Sequence, residues 1–203
     1  EDEESRSYYC EVIMDEANKM NKMVRQLLTL TALEFGNDTP SIAAFDVTEL
    51  VHDLINSSGI LIQQNAAKVS VDMPETLVVM GDEFKIEEVV TNYLTNAMNH
   101  LGGDIRIWSE TLDGVAKIHV YNNGTPIPEE DLPNLWTKFY KVDKARTRAY
   151  GGSGIGLSIV KAIMEAHHQQ YGVANHKDGV EFWFTLALAP EKSEEEEQRE
   201  ENS

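Results

Sequence analysis

The chain has 203 residues, 41% of them hydrophobic and 26% charged, which supports one or two packed domains and excludes wholesale disorder. Its net charge of −18 is uneven: residues 1–9 carry −3 and residues 191–203 carry −5, leaving −10 on a body too acidic to grip a nucleic-acid backbone. A single cysteine, Cys10, excludes a disulfide framework and fits a reducing compartment, and no stretch approaches the roughly 20 apolar residues of a membrane span.

Both acidic ends are expected to be flexible, solvated segments. Residues 8–35 carry a helical pattern in which Ile13, Ala17, Met20, Val24, Leu27 and Thr31 recur at alternating spacings of four and three, a narrow seam of the coiled-coil kind that Met23, Leu28 and Leu30 widen toward a bundle face. Gly36-Asn37-Asp38-Thr39-Pro40 ends that helix, dividing a helical unit over residues 10–37 from a domain over residues 42–190. Asp46 reads as an N-cap with Glu49 three residues on, which predicts a helix over 47–65. Strands are predicted over 68–72 and 76–80, and Asp82 caps a third helix running to about residue 101. Residues 104–111 and 115–121 pair as a hairpin about Asp113-Gly114. A Pro- and Gly-rich loop, a short helix over 129–139, an aperiodic segment over 138–153, a helix over 155–168 and strands over 170–175 and 180–188 complete the body. Helices mixed with mostly antiparallel strands predict an α/β sandwich, a mixed sheet covered by helices on one face.

Three features carry chemistry. Glu88, Asn92 and Asn96 share one face of the third helix at spacings of four, while Ile86, Val89, Val90, Leu94 and Ala97 take the buried side. Carboxamides in such a row offer neutral oxygens to Mg²⁺, or they form a polar solvent face. Tyr121-Asn122-Asn123-Gly124-Thr125-Pro126-Ile127-Pro128 follows a strand, and its side-chain acceptor beside a glycine suits an exocyclic amine such as adenine N6; the same residues also make an ordinary turn. Gly151-Gly152-Ser153-Gly154-Ile155-Gly156-Leu157 opens a helix, where free N–H groups and the positive dipole end favour a phosphate. It is neither a P-loop nor a dinucleotide fingerprint. Just before it, Lys138, Lys141, Lys144, Arg146 and Arg148 fall within thirteen residues with Asp143 the only acid, a placement that suits an anionic ligand under a mobile lid.

In this order the motifs resemble the N, G1, F and G2 boxes of sensor histidine kinases of two-component systems. The matching segments are Asn92-x-x-x-Asn96-Ala97, Asn122-Asn123-Gly124, Leu135-Trp136-x-Lys138-Phe139-Tyr140-Lys141-Val142-Asp143 and Gly152-x-Gly154-x-Gly156-Leu157. Met14-Asp15-Glu16-Ala17-Asn18-Lys19-Met20 and Leu27-Leu28 resemble the second helix of that family's dimerisation domain. The run from Asn122 to Asp131 is similar to the vancomycin-resistance (VanS) subgroup. The resemblance implies a Bergerat-type ATP-binding fold that holds ATP and Mg²⁺ under a flexible lid. It makes Asn96 the Mg²⁺ ligand, Asn92 its polar neighbour, and His100 a residue packed on adenine. Asn122, Gly124, Ile127, Phe139, Tyr140, Ile155 and Leu157 would also belong to the nucleotide site, and Lys141 would reach the phosphates from the lid. Gly152, Gly154 and Gly156 would form the phosphate loop and the start of the next helix. Three positions depart from the family pattern: Asn122 stands for the usual aspartate, Pro126 for the second G1 glycine, and Asn99 for a basic residue after the N box. They bear on ATP affinity more than on fold.

Phosphotransfer in the family needs a His-acid-apolar-basic-Thr-Pro box. His52-Asp53-Leu54-Ile55-Asn56-Ser57 lacks the basic residue and the proline, so the accepting histidine is expected outside this chain. His167 and His168 suit a helix C-terminus, where positive charge is favourable, and His119 and His176 show no partner pattern. The resemblance therefore implies a cytoplasmic portion of a membrane-anchored receptor. It would serve the parent's dimerisation domain and, through it, an aspartate on a response-regulator receiver domain. The parent is expected to be a homodimer and this chain a monomer or weak self-associating species. Two rivals remain: a stand-alone ATPase of the wider superfamily, which carries a catalytic Glu where this chain has Asn92, and a non-catalytic interaction module with a vestigial site.

Overall fold

The computed structural model describes residues 3–36, 38–100, 102–142 and 153–190. Its elements are α1 (Glu3–Glu34), β1 (Ala43–Asp46), α2 (Val47–Ser57), α3 (Gly59–Gln64), β2 (Lys68–Asp72), β3 (Val78–Gly81), α4 (Glu83–Asn99), β4 (Asp104–Leu112), β5 (Val115–Asn123), α5 (Gly156–Ala166), β6 (Tyr171–His176) and β7 (Gly179–Leu188). The strands form one sheet in the order β1-β3-β7-β5-β4-β2, with β6 also paired to β7. Every pairing is antiparallel except β2 with β4. β7 is the hub: β5 runs along one edge, while β6 and β3 share the other.

Period-2 alternation decides which face of the sheet is buried. Ala116, Ile118 and Val120 of β5 lie opposite Leu186, Phe184 and Phe182 of β7, and all six are buried. α4 packs onto them through Tyr93, whose ring lies 5.3 Å from Phe182 and 6.2 Å from Phe184. α2 and α5 flank α4. This is the expected α/β sandwich, and the N-box helix buries the side predicted for it: Ile86, Val89, Val90, Leu94 and Ala97.

The opposite face carries a network that spacing along the chain did not show. Glu181 Oε1 lies 2.7 Å from His119 Nδ1, and Glu181 Oε2 lies 2.7 Å from His176 Nε2. Trp108 stacks on His119 at 4.6 Å. Burial pushes the Glu181 carboxyl up, but hydrogen bonds and charge from the two imidazoles outweigh it and hold it below its ordinary value. The two histidines come from different strands that meet only through β7, so no local pattern announces the pair.

Three predicted elements differ. The helix over 47–65 breaks at Ser58 into α2 and α3, because Ser57-Ser58-Gly59 is a run of weak helix formers and Ser57 Oγ bonds Leu54 O instead. The helix over 129–139 shrinks to a 3₁₀ turn at Leu132–Asn134, where Pro133 removes a donor and Asn134 Nδ2 turns back to Glu130 O. α1 begins at Glu3, so most of the head expected to be flexible is helical. The expected C-terminal flexible segment, residues 191–203, lies outside the described residues.

α1 docks on α5, yet not through the narrow predicted seam. Leu30, on the edge expected to widen that seam, and Leu33 are buried, whereas Ile13 and Met20 are each 67% exposed and Val24 54%. The docking face meets the predicted bundle face only at Leu30.

His167 joins the two main helices. It follows α5, and its Nε2 accepts from the Asp82 N–H at 3.0 Å, at the start of α4. Its Nδ1 lies 2.8 Å from Ile163 O and donates to it. Those roles require a neutral ring, so the expected cationic C-cap is corrected: burial lowers its pKa below 6.5. The unfolded chain then binds a proton that the folded one refuses, so this stability is present above pH ~6.5 and is lost as pH falls toward the folded pKa. We expect the loss of melting temperature between pH 7.5 and 5.5 to be smaller in His167→Ala than in the wild type; equal pH slopes by calorimetry would contradict the assignment.

Candidate nucleotide site

α4 and α5 meet again at the opposite end of α5. A Cβ on Gly156 would lie 2.5 Å from Asn92 Oδ1, so only glycine lets the start of α5 approach the N-box helix this closely. Asn92 Nδ2 donates to Glu88 O at 2.8 Å, which aims its oxygen at Gly156. Asn96 is half-buried one turn further on, and its carboxamide takes no hydrogen bond among the described residues. Burial, the dominant effect, raises the Glu88 carboxyl; Lys85 opposes it and Asp38 adds to it.

The start of α5 differs from those of its neighbours. Asp46 caps α2 by accepting from Thr48 N, and Asp82 caps α4 by accepting from Lys85 N. No side chain caps α5. Its first N–H groups and the positive end of its dipole stay available to an anion. Gly154 shapes the approach with φ +71°, and a Cβ there would press on Phe139 and Tyr140 backbone at 3.1 Å.

The two ends of the segment expected to form a lid are tied together. Phe139 N–H donates to Gly154 O at 2.8 Å. Phe139 itself has φ +63°, a left-handed conformation rare for a bulky residue, and its ring is largely exposed. Tyr140 Oη donates to Asp131 Oδ1. Of the predicted cationic cluster, Lys141 is half-buried and Lys138 is engaged by Glu34 of α1 at 2.6 Å. Lys144, Arg146, Arg148, Asp143 and Gly152 lie outside the described residues.

Asn122 is buried at the end of β5. Its Nδ2 donates to His100 O at 3.3 Å and Asn123 O at 3.2 Å. Both amide protons are thus consumed by carbonyls, and the carboxamide oxygen is left as the acceptor. His100 is the C-cap of α4, so this single side chain ties the N-box helix to the G1 loop. Gly124 and Ile127 follow on that loop, and Ile127 packs half-buried against the core. The Ile155 side chain is fully buried in the core, and its N–H donates to Ser153 Oγ at 3.3 Å. Leu157 is partly packed into the core.

Two contributors were not foreseen. Asn175 of β6 clamps Ile127, and Gln26 of α1 accepts from Ser153 Oγ at 2.9 Å beside the Gly-rich turn. Gln26 stands outside the seam periodicity, and Asn175 lies in a strand with no motif around it.

Asn92 of α4 set against an uncapped helix start, with Asn122 of β5 bonded to the C-cap of the same α4, are the groups of an ATP-binding α/β domain. The chain belongs to the family described as histidine kinase-, DNA gyrase B- and HSP90-like ATPases, which matches residues 81–190. It is 31% identical over 187 residues to the sensor protein VanSB of Enterococcus faecalis, covering 91% of this chain and 42% of the relative. It is 31% identical over 190 residues to the sensor-like histidine kinase SenX3 of Mycobacterium tuberculosis, covering 93% of this chain and 46% of the relative. The solved histidine kinase ThkA in complex with the response regulator TrrA superposes with a TM-score of 0.75 at 26% identity, covering 95% of this chain and 54% of that one. The chain thus spans less than half the length of these curated relatives.

Gly156→Ala is expected to push α5 off Asn92 and destabilise the domain by about 1–3 kcal/mol, the usual range for overpacking. Urea denaturation checks it; an unchanged midpoint would mean that Asn92 swings aside freely.

Proposed function

We propose that this chain is the ATP-binding catalytic part of a sensor histidine kinase, holding Mg²⁺-ATP for transfer of the γ-phosphoryl to a histidine of the dimerisation domain. The observation that carries the reading is the uncapped start of α5 seated against Asn92. A helix N-terminus without a cap suits a phosphate, and here it faces the carboxamide oxygen of Asn92.

The residues divide by role. Asn122 Oδ1 accepts from the exocyclic amine of adenine, with Gly124, Ile127 and His100 around the base. The N–H groups at the start of α5, behind Gly152 and Gly154, bind phosphate oxygens, and Lys141 approaches them from the lid with Phe139 and Tyr140 at its root. Among the described residues no group of three or more His, Cys, Asp or Glu side chains is placed to hold a metal. Mg²⁺ instead suits Asn96 Oδ1 with Asn92 nearby, since this cation keeps most of its shell as water and phosphate oxygen. When bound it neutralises charge on the transferring phosphoryl group. Fixed amides and lid cations stabilise the same charge without reorganisation. With Asn92 in place of a carboxylate, the site offers no general base there to activate water, which favours transfer over hydrolysis.

Similarity to VanSB supports the vancomycin-resistance sensor subgroup. The ThkA–TrrA complex supports a response-regulator receiver domain as partner. The domain plan remains that of the sequence: a dimerisation helix over 10–37, the ATP domain over 42–190, and acidic segments at 1–9 and 191–203. Among the described residues no helix is long and apolar enough to cross a membrane, which is consistent with a cytoplasmic portion of a membrane-anchored receptor. The uncovered seam of α1, with Ile13, Met20 and Val24 exposed, is where the rest of the dimerisation bundle would pack. A second reading, a docking module, is favoured by the same exposed seam alone.

Calorimetric titration with a non-hydrolysable ATP analogue tests the reading. Binding is expected to tighten with Mg²⁺, and Asn96→Ala to remove that dependence and weaken affinity about tenfold or more, equivalent to ~1.4 kcal/mol. No heat at millimolar nucleotide would move the function to a docking module. Sedimentation is expected to find a monomer or weak dimer; a tight dimer would show that the α1 seam is sufficient by itself.

A further inference from the structure

The loop after β5 is chemically unusual. Between Pro126 and Pro128, Ile127 owns the only backbone N–H, because proline has none. Thr125 and Ile127 each precede a proline and are confined to extended conformations. The loop is therefore internally stiff, and its main remaining freedom is a swing about its root at Asn123-Gly124.

One side chain on a different strand arrests that swing. Asn175 Oδ1 accepts from Ile127 N–H at 2.9 Å, and Asn175 Nδ2 donates to Ile127 O at 2.7 Å. Both backbone polar groups of the loop's apolar residue are satisfied by a single carboxamide. The two bonds also settle the orientation of that amide, since exchanging its oxygen and nitrogen would set donor against donor. The same β6–β7 hairpin holds the loop at its root: Gly124 N–H donates to Asp178 O at 2.9 Å. Tyr121 Oη donates to the Asp178 backbone and side-chain oxygens at 3.2 and 3.1 Å. Ile127 is thereby fixed half-buried against the core, a few residues from the acceptor oxygen of Asn122.

We propose that Asn175 is a positioning residue for base selection, holding the Ile127 wall at a set distance from Asn122 so that the pocket takes a purine with an amine, rather than a carbonyl, at its sixth position. The role rests on reading the site as a nucleotide pocket. Asn122 supplies the acceptor that an exocyclic amine satisfies and a carbonyl does not. An acceptor discriminates only when the base cannot shift away from it, and a wall hinged at Gly124 would permit that shift. Asn175 touches no nucleotide in this scheme; it acts through the loop.

The test compares dissociation constants of Mg²⁺-bound ATP and GTP analogues for the wild type, Asn175→Ala and Asn175→Asp, with melting temperatures measured alongside. The preference for the adenine nucleotide is expected to fall about tenfold in Asn175→Ala, the scale of two lost hydrogen bonds. In Asn175→Asp, which keeps the acceptor for Ile127 N–H but loses the donor to Ile127 O, the fall is expected to be about threefold. A merely structural role would lower the folded fraction and weaken both nucleotides in proportion, leaving their ratio unchanged. An unchanged ratio in both variants, with normal wild-type binding, would overturn the role of Asn175 alone. A wild type that binds neither analogue would overturn the nucleotide pocket and this role with it. Asn175→Asp, nearly isosteric, keeps the comparison decisive should Asn175→Ala fold poorly.

Discussion

Everything at the site depends on how closely α5 can lie against α4. The two helices are pinned at both ends of α5: Gly156 against Asn92 at one, His167 against the Asp82 N–H at the other. The lengths agree, since ten residues of α4 and eleven of α5 rise about 15 and 16 Å. Between these pins, Val89, Val90, Ile159, Val160 and Ile163 are fully buried. The arrangement leaves an uncapped helix start beside a row of amides, which an isolated helix would satisfy with water. Function and packing thus use one contact: the missing side chain at Gly156 brings the helices together and opens the phosphate-facing end.

The base side is built differently, from loops held by side chains rather than from packed helices. Asn122 ties the G1 loop to the C-cap of α4, and the β6–β7 hairpin ties it to the sheet through Asp178 and Asn175. Each bond contributes only about 1 kcal/mol, but together they give a proline-stiffened loop one position. The aspartate usual at the Asn122 position would bring charge and no donors. Here the carboxamide spends its donors on carbonyls and keeps its oxygen, so the departure from the family pattern preserves the acceptor.

α1 is attached to this apparatus lightly. Two leucines are buried, Gln26 meets Ser153, and Glu34 pairs with Lys138 across a partly exposed gap. Exposed ion pairs of this kind contribute between zero and about 1 kcal/mol. The contacts nonetheless fall on the Gly-rich turn and on the first basic residue of the lid segment, so α1 touches the site at two named side chains. Among the described cations of that segment, Lys138 is thus turned toward a carboxylate of α1.

Local pattern alone was enough for most of the architecture. Alternation in β4, β5 and β7, the Asp46 and Asp82 caps and the glycine-marked turns are short-range signals, because side-chain periodicity and capping act over four or five residues. The ordered motifs around Asn92, Asn122, Lys138 and Gly154 were legible for the same reason. Three things were decided only by tertiary structure. Which part of α1 docks, Leu30 at the edge of the predicted face together with Leu33 rather than the seam itself, depends on which surface of α5 is offered. The His119–Glu181–His176 network and the Asn175 clamp depend on strand pairing, which sets side by side residues 62 and 48 positions apart in the chain. The neutral state of His167 depends on a donor that arrives from 85 residues away. Contacts closed through β7 leave no periodic trace, since their geometry exists only once the sheet has formed.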